Sequence, residues 1–84
     1  MWANGQCISA NTPKTEIKAL DAMQTKWDCL DSCRALANPI AACEWELKDG
    51  RCFAYTEEVY CHANGDSNFL CYNFKICGKI LFSK

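Results

Sequence analysis

The most regular pattern of hydrophobic and polar positions lies in residues 25–37, where apolar side chains recur every three or four residues. This spacing places one set on a single face of an α-helix: Cys29, Leu30, Cys33 and Leu36. Thr25 is a suitable N-cap, and Asp28 three residues later completes a capping-box pattern. Pro39 ends the helix because the residue that precedes a proline avoids the α conformation. The pattern therefore predicts an α-helix over residues 25–37.

The segment before this helix, residues 15–23, has a weaker form of the same spacing. Ile17, Leu20 and Met23 suit one face of a helix. So short an apolar set also fits a strand when the tertiary context demands one. From the sequence alone we expect a helix here.

A two-residue period replaces the helical one in residues 41–48, which is typical of a half-buried strand. The apolar positions are Cys43, Trp45 and Leu47, and the polar positions between them are Glu44, Glu46 and Lys48. We expect the apolar set to face the helix and the polar set to face solvent. Asp49 and Gly50 predict a hairpin turn, and residues 51–56 then form the partner strand.

Shorter apolar stretches complete the predicted sheet. Residues 69–74 form the last clear strand, residues 57–61 begin another extended stretch, and the residues around Cys7 form a short first strand or arm. Residues 64–68 are rich in turn-forming side chains. The expected fold class is α+β: a small antiparallel sheet of three to five strands, with one helix packed across it.

Eight cysteines in 84 residues mark a disulfide scaffold, because so short a chain buries too little apolar surface to be stable on its core alone. Zinc is the alternative use, but structural zinc sites favour C-x-x-C pairs and no two cysteines here are three apart. The only histidine, His62, adjoins Cys61. We expect four disulfides and a secreted, extracellular protein, since disulfides persist in oxidising compartments. The cysteines are Cys7, Cys29, Cys33, Cys43, Cys52, Cys61, Cys71 and Cys77.

Length, charge and hydropathy indicate how many domains the chain has and which kinds of partner it is not expected to bind. We expect one domain over residues 1–84, with a core at about 5–77 and a tail at 78–84. The basic residues are scattered and the net charge is −1, so no nucleic-acid or heparin-binding patch is predicted. No apolar run reaches the length of a membrane span, and we expect no membrane insertion. The first residues lack the form of a signal peptide, so we expect a mature chain whose leader has been removed.

Three cysteine-containing motifs follow one another along the chain. The predicted helix contains Cys-x-x-x-Cys, the predicted hairpin has a cysteine in each strand, and the last predicted strand has a cysteine next to aromatic residues. The stretches concerned are Asp28-Cys29-Leu30-Asp31-Ser32-Cys33, Ala42-Cys43-Glu44-Trp45, Gly50-Arg51-Cys52-Phe53-Ala54-Tyr55-Thr56, Asn64-Gly65-Asp66 and Leu70-Cys71-Tyr72-Asn73-Phe74. Together they make residues 25–74 resemble the PAN/apple family.

This resemblance implies a particular set of disulfides. In the family, two nested bridges join the helix to the hairpin, and the corresponding pairs are Cys29–Cys52 and Cys33–Cys43. Cysteines four residues apart on a helix share a face, which agrees with this arrangement. The resemblance also joins Cys7 to Cys71 or Cys77. Cys61 then pairs with the cysteine that remains.

The sequence predicts no catalytic residue, no cofactor and no metal site. His62 has no free thiol beside it if all cysteines are oxidised, so a Cys–His nucleophile is not expected. Asp66 and Asn68 match part of a calcium loop, but the terminal bidentate glutamate is missing. Glu57 and Glu58 are neighbours on one stretch rather than acids that face each other across a sugar-binding cleft.

The outer face of the hairpin is the remaining candidate for function, since aromatic residues beside arginine are typical of binding hot spots. Its predicted residues are Glu44, Glu46, Lys48, Arg51, Phe53 and Tyr55. Three other aromatic residues are assigned to the core: Trp27, Trp45 and Phe74. The resemblance implies a secreted, non-enzymatic module that binds an extracellular protein or a glycan. The alternative is a freestanding secreted signal, such as a pheromone or growth-factor-like ligand, that binds a cell-surface receptor.

Overall fold

A computed structural model describes residues 2–9, 14–17, 25–37 and 39–75 of the chain. One helix and five strands make up these residues, and all strand pairs are antiparallel. The elements are β1 (Trp2–Asn4), β2 (Thr15–Ile17), α1 (Lys26–Arg34), β3 (Ala42–Glu46), β4 (Cys52–Tyr55) and β5 (Phe69–Asn73). The strand order is β1-β5-β3-β4-β2, and α1 packs across β3 and β4. The predicted fold class, a small disulfide-rich α+β domain, is confirmed.

The start of α1 follows the sequence signals closely. The Thr25 hydroxyl accepts a hydrogen bond from the Asp28 backbone N–H at 3.2 Å, and the Asp28 carboxylate accepts one from the Thr25 N–H at 3.1 Å. This capping box satisfies two backbone donors that a helix leaves unpaired. The helix ends at Arg34, earlier than predicted, so Leu36 lies beyond it and is exposed.

Residues 15–17 form a strand, so the prediction of a helix over residues 15–23 is wrong for this part. Thr15 lies opposite Ala54, and Ile17 lies opposite Cys52. The physical reason is that β2 satisfies the outer backbone groups of β4, which a local periodicity does not reveal. Residues 18–24 lie outside the described residues.

The hairpin of β3 and β4 turns where the sequence predicts. Gly50 has a φ of 71°, and its N–H donates a hydrogen bond to the Glu46 carbonyl at 2.8 Å. A residue with a side chain rarely adopts such a positive φ, which explains the glycine. Leu47 precedes this turn and lies beyond the end of β3, so it is 44% exposed and does not face the helix as predicted.

The helix-facing side of the sheet holds the main core. Cys43 and Trp45 face α1 as the two-residue period predicts, and the buried cluster there contains Cys29, Leu30, Cys33, Cys43, Cys52 and Ala54. Trp45 and Phe74 are partly buried against it. Trp27 is 56% exposed, so its assignment to the core is wrong. It lies in the first turn of α1, away from the face that carries the two cysteines.

The opposite side of the sheet is covered rather than open to solvent. The chain turns at Gly5, which has a φ of 120°, and residues 6–8 then run alongside residues 60–64. A side chain at Gly5 would overlap the backbone of Gly65, so this crossing requires glycine. A second buried cluster results, formed by Cys7, Ala42, Tyr55, Val59 and Cys71.

The burial of this side of the sheet contradicts the predicted exposure of most of the candidate contact residues. Glu44 is 0% exposed and Glu46 is 5% exposed, and both aromatic members of the set, Phe53 and Tyr55, are buried as well. Lys48 and Arg51 are exposed as predicted. The alternation correctly separates the two faces of β3, but a strand pattern alone does not show that loops elsewhere in the chain bury the polar face.

Three disulfides lie within the described residues. The pairs are Cys7–Cys71, Cys29–Cys52 and Cys33–Cys43. The last two join α1 to β4 and β3, which are the nested pairs that the resemblance implies. The first joins Cys7 to β5 and so attaches residues 6–8, which we call the N-terminal cover, to the sheet. Cys61 is also disulfide-bonded, and Cys77 lies outside the described residues.

Candidate functional site

Four aromatic side chains form a continuous strip beside α1, on the helix-facing side of the sheet. The ring centroids of Trp27 and Trp2 are 6.3 Å apart, those of Trp2 and Tyr72 are 5.2 Å apart, and those of Tyr72 and Phe74 are 5.2 Å apart. We call these four residues the aromatic strip. Trp27 is 56% exposed, and the other three are partly exposed.

The strand order explains why this strip is not covered. Because α1 packs on β3 and β4, the outer strands β5 and β1 extend beyond the helix on one side. Trp2 of β1 lies opposite Tyr72 of β5, so both rings project to the same face. Trp27 closes the end of the row from the first turn of α1. The described part of the chain leaves the outer surface of these rings in contact with solvent.

Two cations flank the aromatic strip. The Lys26 ammonium lies 5.3 Å from the centroid of the Trp27 ring and 5.8 Å from that of Trp2. The Arg34 guanidinium lies 5.8 Å from the centroid of the Phe74 ring. These are cation–π distances. Within the described ranges neither cation forms an ion pair, so their charges are available to a partner.

An open groove of about 390 Å³ begins where the strip ends at Phe74. It lies between the C-terminal end of α1 and the segment that leads into β3. Its lining residues are Cys33, Arg34, Leu36, Ala37, Pro39, Ile40 and Phe74. The groove and the aromatic strip share Phe74, so together they form one continuous surface of apolar and polar groups with Arg34 at its middle.

Three of the predicted contact residues, Glu44, Phe53 and Tyr55, instead belong to a buried network under the N-terminal cover. The Glu44 carboxylate accepts hydrogen bonds from the Cys7 backbone N–H at 2.9 Å, the Tyr55 hydroxyl at 2.8 Å and the Lys14 ammonium at 2.6 Å. Burial raises the pKa of Tyr55, and its hydrogen bond to Glu44 raises it further. The Lys14 ammonium also lies 4.3 Å from the centroid of the Phe53 ring. This network holds the cover in place and offers no open surface.

Glu46 forms a second polar cluster at the edge of the same face. Its carboxylate accepts hydrogen bonds from the Arg51 guanidinium at 2.5 Å and from the Asn68 amide at 3.1 Å. The hydrogen bond from Arg51 is the largest cause that holds the pKa of Glu46 below its ordinary value of 4.5, whereas burial acts in the opposite direction. Glu46 therefore stabilises the fold as a carboxylate.

A pH-dependent loss of stability follows from this lowered pKa. The stabilising contribution of Glu46 is complete above the pKa of the unfolded chain and is lost as the pH falls through the lower folded pKa. We expect Glu46→Gln to reduce the free energy of unfolding at neutral pH and to flatten its decline below about pH 4.5. Urea unfolding of both proteins between pH 2 and pH 7 measures this. Parallel stability curves would contradict the assignment.

One histidine and one group of cysteines among the described residues bear on catalysis and metal binding. His62 stacks on Tyr60, with ring centroids 6.0 Å apart and planes 9° from parallel. The sulfur atoms of Cys29, Cys33, Cys43 and Cys52 lie within 4.8 Å of one another, a grouping that resembles a zinc site. These sulfurs are bonded in pairs, however, and zinc binds thiolates.

Sequence reasoning missed the aromatic strip because its members come from both ends of the described chain and from the helix. The composition shows the rings, but only the register of β1 on β5 places Trp2 beside Tyr72. The exposure of Trp27 has a weak signal in the sequence: it lies two residues before Cys29, and therefore away from the buried helix face.

Comparisons of the chain with protein-family models, with curated proteins and with solved structures give no match. Across the ranges that the structure describes, no helix is long and apolar enough to cross a membrane. The functional argument therefore rests on the surface itself.

Proposed function

We propose that this chain is a secreted, non-enzymatic module that binds an extracellular protein or a glycan through the aromatic strip and the adjoining groove. The observation that carries the proposal is the row of four rings, exposed at Trp27 and partly exposed at the other three, with Lys26 and Arg34 beside it. Binding hot spots are rich in tryptophan, tyrosine and arginine. More than half of the Trp27 side chain remains in water, so contact with a partner would bury apolar area that the fold leaves exposed.

The disulfides support an extracellular location for this function. Bridges within so small a domain stabilise it in an oxidising environment and would be reduced in the cytosol. The nested pairs Cys29–Cys52 and Cys33–Cys43 also agree with the PAN/apple resemblance, which is the basis for choosing a binding module rather than another class of disulfide-rich protein.

The test is the loss of binding on truncation of Trp27. We expect Trp27→Ala to weaken saturable binding of the fluorescently labelled protein to cultured cells or to a printed glycan array by tenfold or more, since hot-spot truncations cost about 2 kcal/mol. Tyr60→Ala is the matched control, because Tyr60 is a comparably exposed aromatic residue, at 51%, on the loop that covers the opposite side of the sheet.

Equal binding by the wild type and Trp27→Ala, or a larger loss with Tyr60→Ala, would remove the aromatic strip as the contact surface. The pattern of bound targets separates the two versions of the function. Binding to array glycans favours an adhesion module, whereas saturable binding restricted to cells of the source organism favours a freestanding signal for a receptor.

A further inference from the structure

We infer that the partner is a protein segment that inserts a bulky apolar side chain into the groove beside Phe74 and places an acidic side chain on Arg34. This inference rests on the proposed function and names the chemistry of the partner. It identifies the groove, rather than the exposed ring of Trp27 alone, as the part of the surface that determines which partner binds.

The groove combines polar groups with apolar side chains that an apolar group of a partner can contact. Leu36, Pro39 and Ile40 provide its aliphatic walls, and the ring of Phe74 closes one side. Its volume, about 390 Å³, lies at the lower end of the range of small-ligand sites, ~300–1,000 Å³. Burial of a leucine or phenylalanine there removes apolar area from water on both partners, which is the main favourable term in association.

The charge at the groove selects an acidic neighbour for that side chain. Arg34 is exposed in the last turn of α1, where its guanidinium lies 5.8 Å from the centroid of the Phe74 ring and, among the residues that the structure describes, forms no ion pair with a carboxylate. Asp31 lies one turn earlier on α1 but forms no ion pair with it. By contrast, Arg51 binds Glu46. A guanidinium presents paired donors that match a carboxylate, so an acidic side chain is the complementary group.

The arrangement of the rings favours a protein over a glycan at this surface. Sugars stack on flat, exposed aromatic faces, but the planes of Trp2 and Trp27 are 82° apart and those of Trp2 and Tyr72 are 72° apart. The planes of Tyr72 and Phe74 are tilted by 57°. The four rings therefore share no common flat face, and side chains of a protein can pack between differently oriented rings.

The chain's own C-terminal residues are the other source of an apolar occupant. Ile80, Leu81 and Phe82 are apolar, but Lys79 and Lys84 flank them. Like charges at an interface oppose binding, so Arg34 and Lys26 disfavour this segment. An acidic segment of another protein has the apolar character without the repulsion.

The experiment is a titration of the isotope-labelled full chain with synthetic peptides of one length, followed by backbone amide chemical shifts. The peptides carry a central Leu-Phe pair flanked by glutamates, the same pair flanked by lysines, or two alanines flanked by glutamates. We expect the glutamate-flanked Leu-Phe peptide to shift the amides of residues 33–40 and Phe74. We expect the other two peptides to bind at least tenfold more weakly.

A charge reversal makes the test specific to Arg34. Arg34→Glu should reverse the preference, so that the lysine-flanked peptide binds more tightly than the glutamate-flanked one. Lys48→Glu is the matched control, because it makes the same change in net charge at an exposed cation in the β3–β4 turn, and it should leave the preference unchanged. Peptides that bind without regard to their flanking charge, or a preference that survives Arg34→Glu, would overturn the inference.

Two further measurements test the alternative occupants of the groove, an anionic glycan and the chain's own C-terminal residues. A sulfated oligosaccharide that shifts the same amides while the peptides do not would show that the surface binds an anionic glycan. Peptide binding that appears only after truncation at Gly78 would identify the chain's own C-terminal residues as the occupant. Either result would overturn this inference. The proposed function would still be tested by the Trp27→Ala experiment, because its outcome does not depend on these peptides.

Discussion

Glu44→Gln is expected to lower the free energy of unfolding by about 1–3 kcal/mol, the usual loss when a buried charged acceptor of hydrogen bonds is removed. Glu44 is fully buried, and three donors converge on its two oxygens: the Cys7 N–H, the Tyr55 hydroxyl and the Lys14 ammonium. Glutamine has a single oxygen and turns an N–H₂ group towards at least one of these donors. The Cys7 N–H and the Tyr55 hydroxyl share Oε1, so in one orientation of glutamine the N–H₂ group faces the partly exposed Lys14 ammonium, and in the other it faces these two buried donors.

Glu58→Gln is the matched control for this prediction. Glu58 pairs with Lys75 at 2.5 Å, but both side chains are exposed, and surface ion pairs contribute no more than about 1 kcal/mol. Urea unfolding at neutral pH under non-reducing conditions measures both variants. Similar losses for the two substitutions would mean that water reaches Glu44 and that the N-terminal cover does not bury it.

Removal of the Cys7–Cys71 bridge by paired alanine substitutions is expected to cost about 4 kcal/mol in the free energy of unfolding, because a closed loop of this size strongly restricts the unfolded chain. The two cysteines are 64 residues apart in sequence. The bridge also holds Cys7 over the sheet, so its loss weakens the hydrogen bond from the Cys7 N–H to Glu44.

The paired substitution of Cys33 and Cys43 is the comparison. These cysteines are separated by only 10 residues and are also buried, so we expect a smaller loss of about 3 kcal/mol. Guanidinium unfolding of both double variants gives the order of the two losses. A larger loss for the shorter loop would show that packing in the core, rather than restriction of the unfolded chain, determines the stabilisation.

A variant that combines Glu44→Gln with removal of the Cys7–Cys71 bridge tests whether the N-terminal cover and the Glu44 network form one structural unit. Because the Cys7 N–H binds Glu44, the two changes remove overlapping interactions, and their combined effect should be smaller than the sum of the separate effects. Additive losses would indicate that the polar network remains in place without the bridge.

The elements that the sequence predicts well are those set by local chemistry. Thr25 and Asp28 define the start of α1 through bonds within four residues, and the Asp49-Gly50 turn fixes the β3–β4 hairpin. The two faces of β3 follow from its alternation for the same reason. In each case the responsible groups are neighbours in sequence, so no knowledge of the rest of the fold is required.

The predictions that are wrong depend on contacts between distant segments. Glu44 has the pattern of a solvent-facing strand residue, yet its partners Cys7 and Lys14 lie at least 30 residues earlier in the chain. A carboxylate with no visible partner in sequence is reasonably placed in water, because its burial without hydrogen bonds is costly. The same limitation hides the pairing of Trp2 with Tyr72, and with it the aromatic strip.

The strand order has a consequence for the way the protein is made. The residues of β1 leave the ribosome before those of β5, their partner in the sheet, and the helix and hairpin are complete in the interval. Trp2 and Cys7 are therefore synthesised more than 60 residues before their partners, Tyr72 and Cys71. In that interval the Cys7 thiol and the Trp2 indole ring lack their partners, so β1 docks only after β5 has been made.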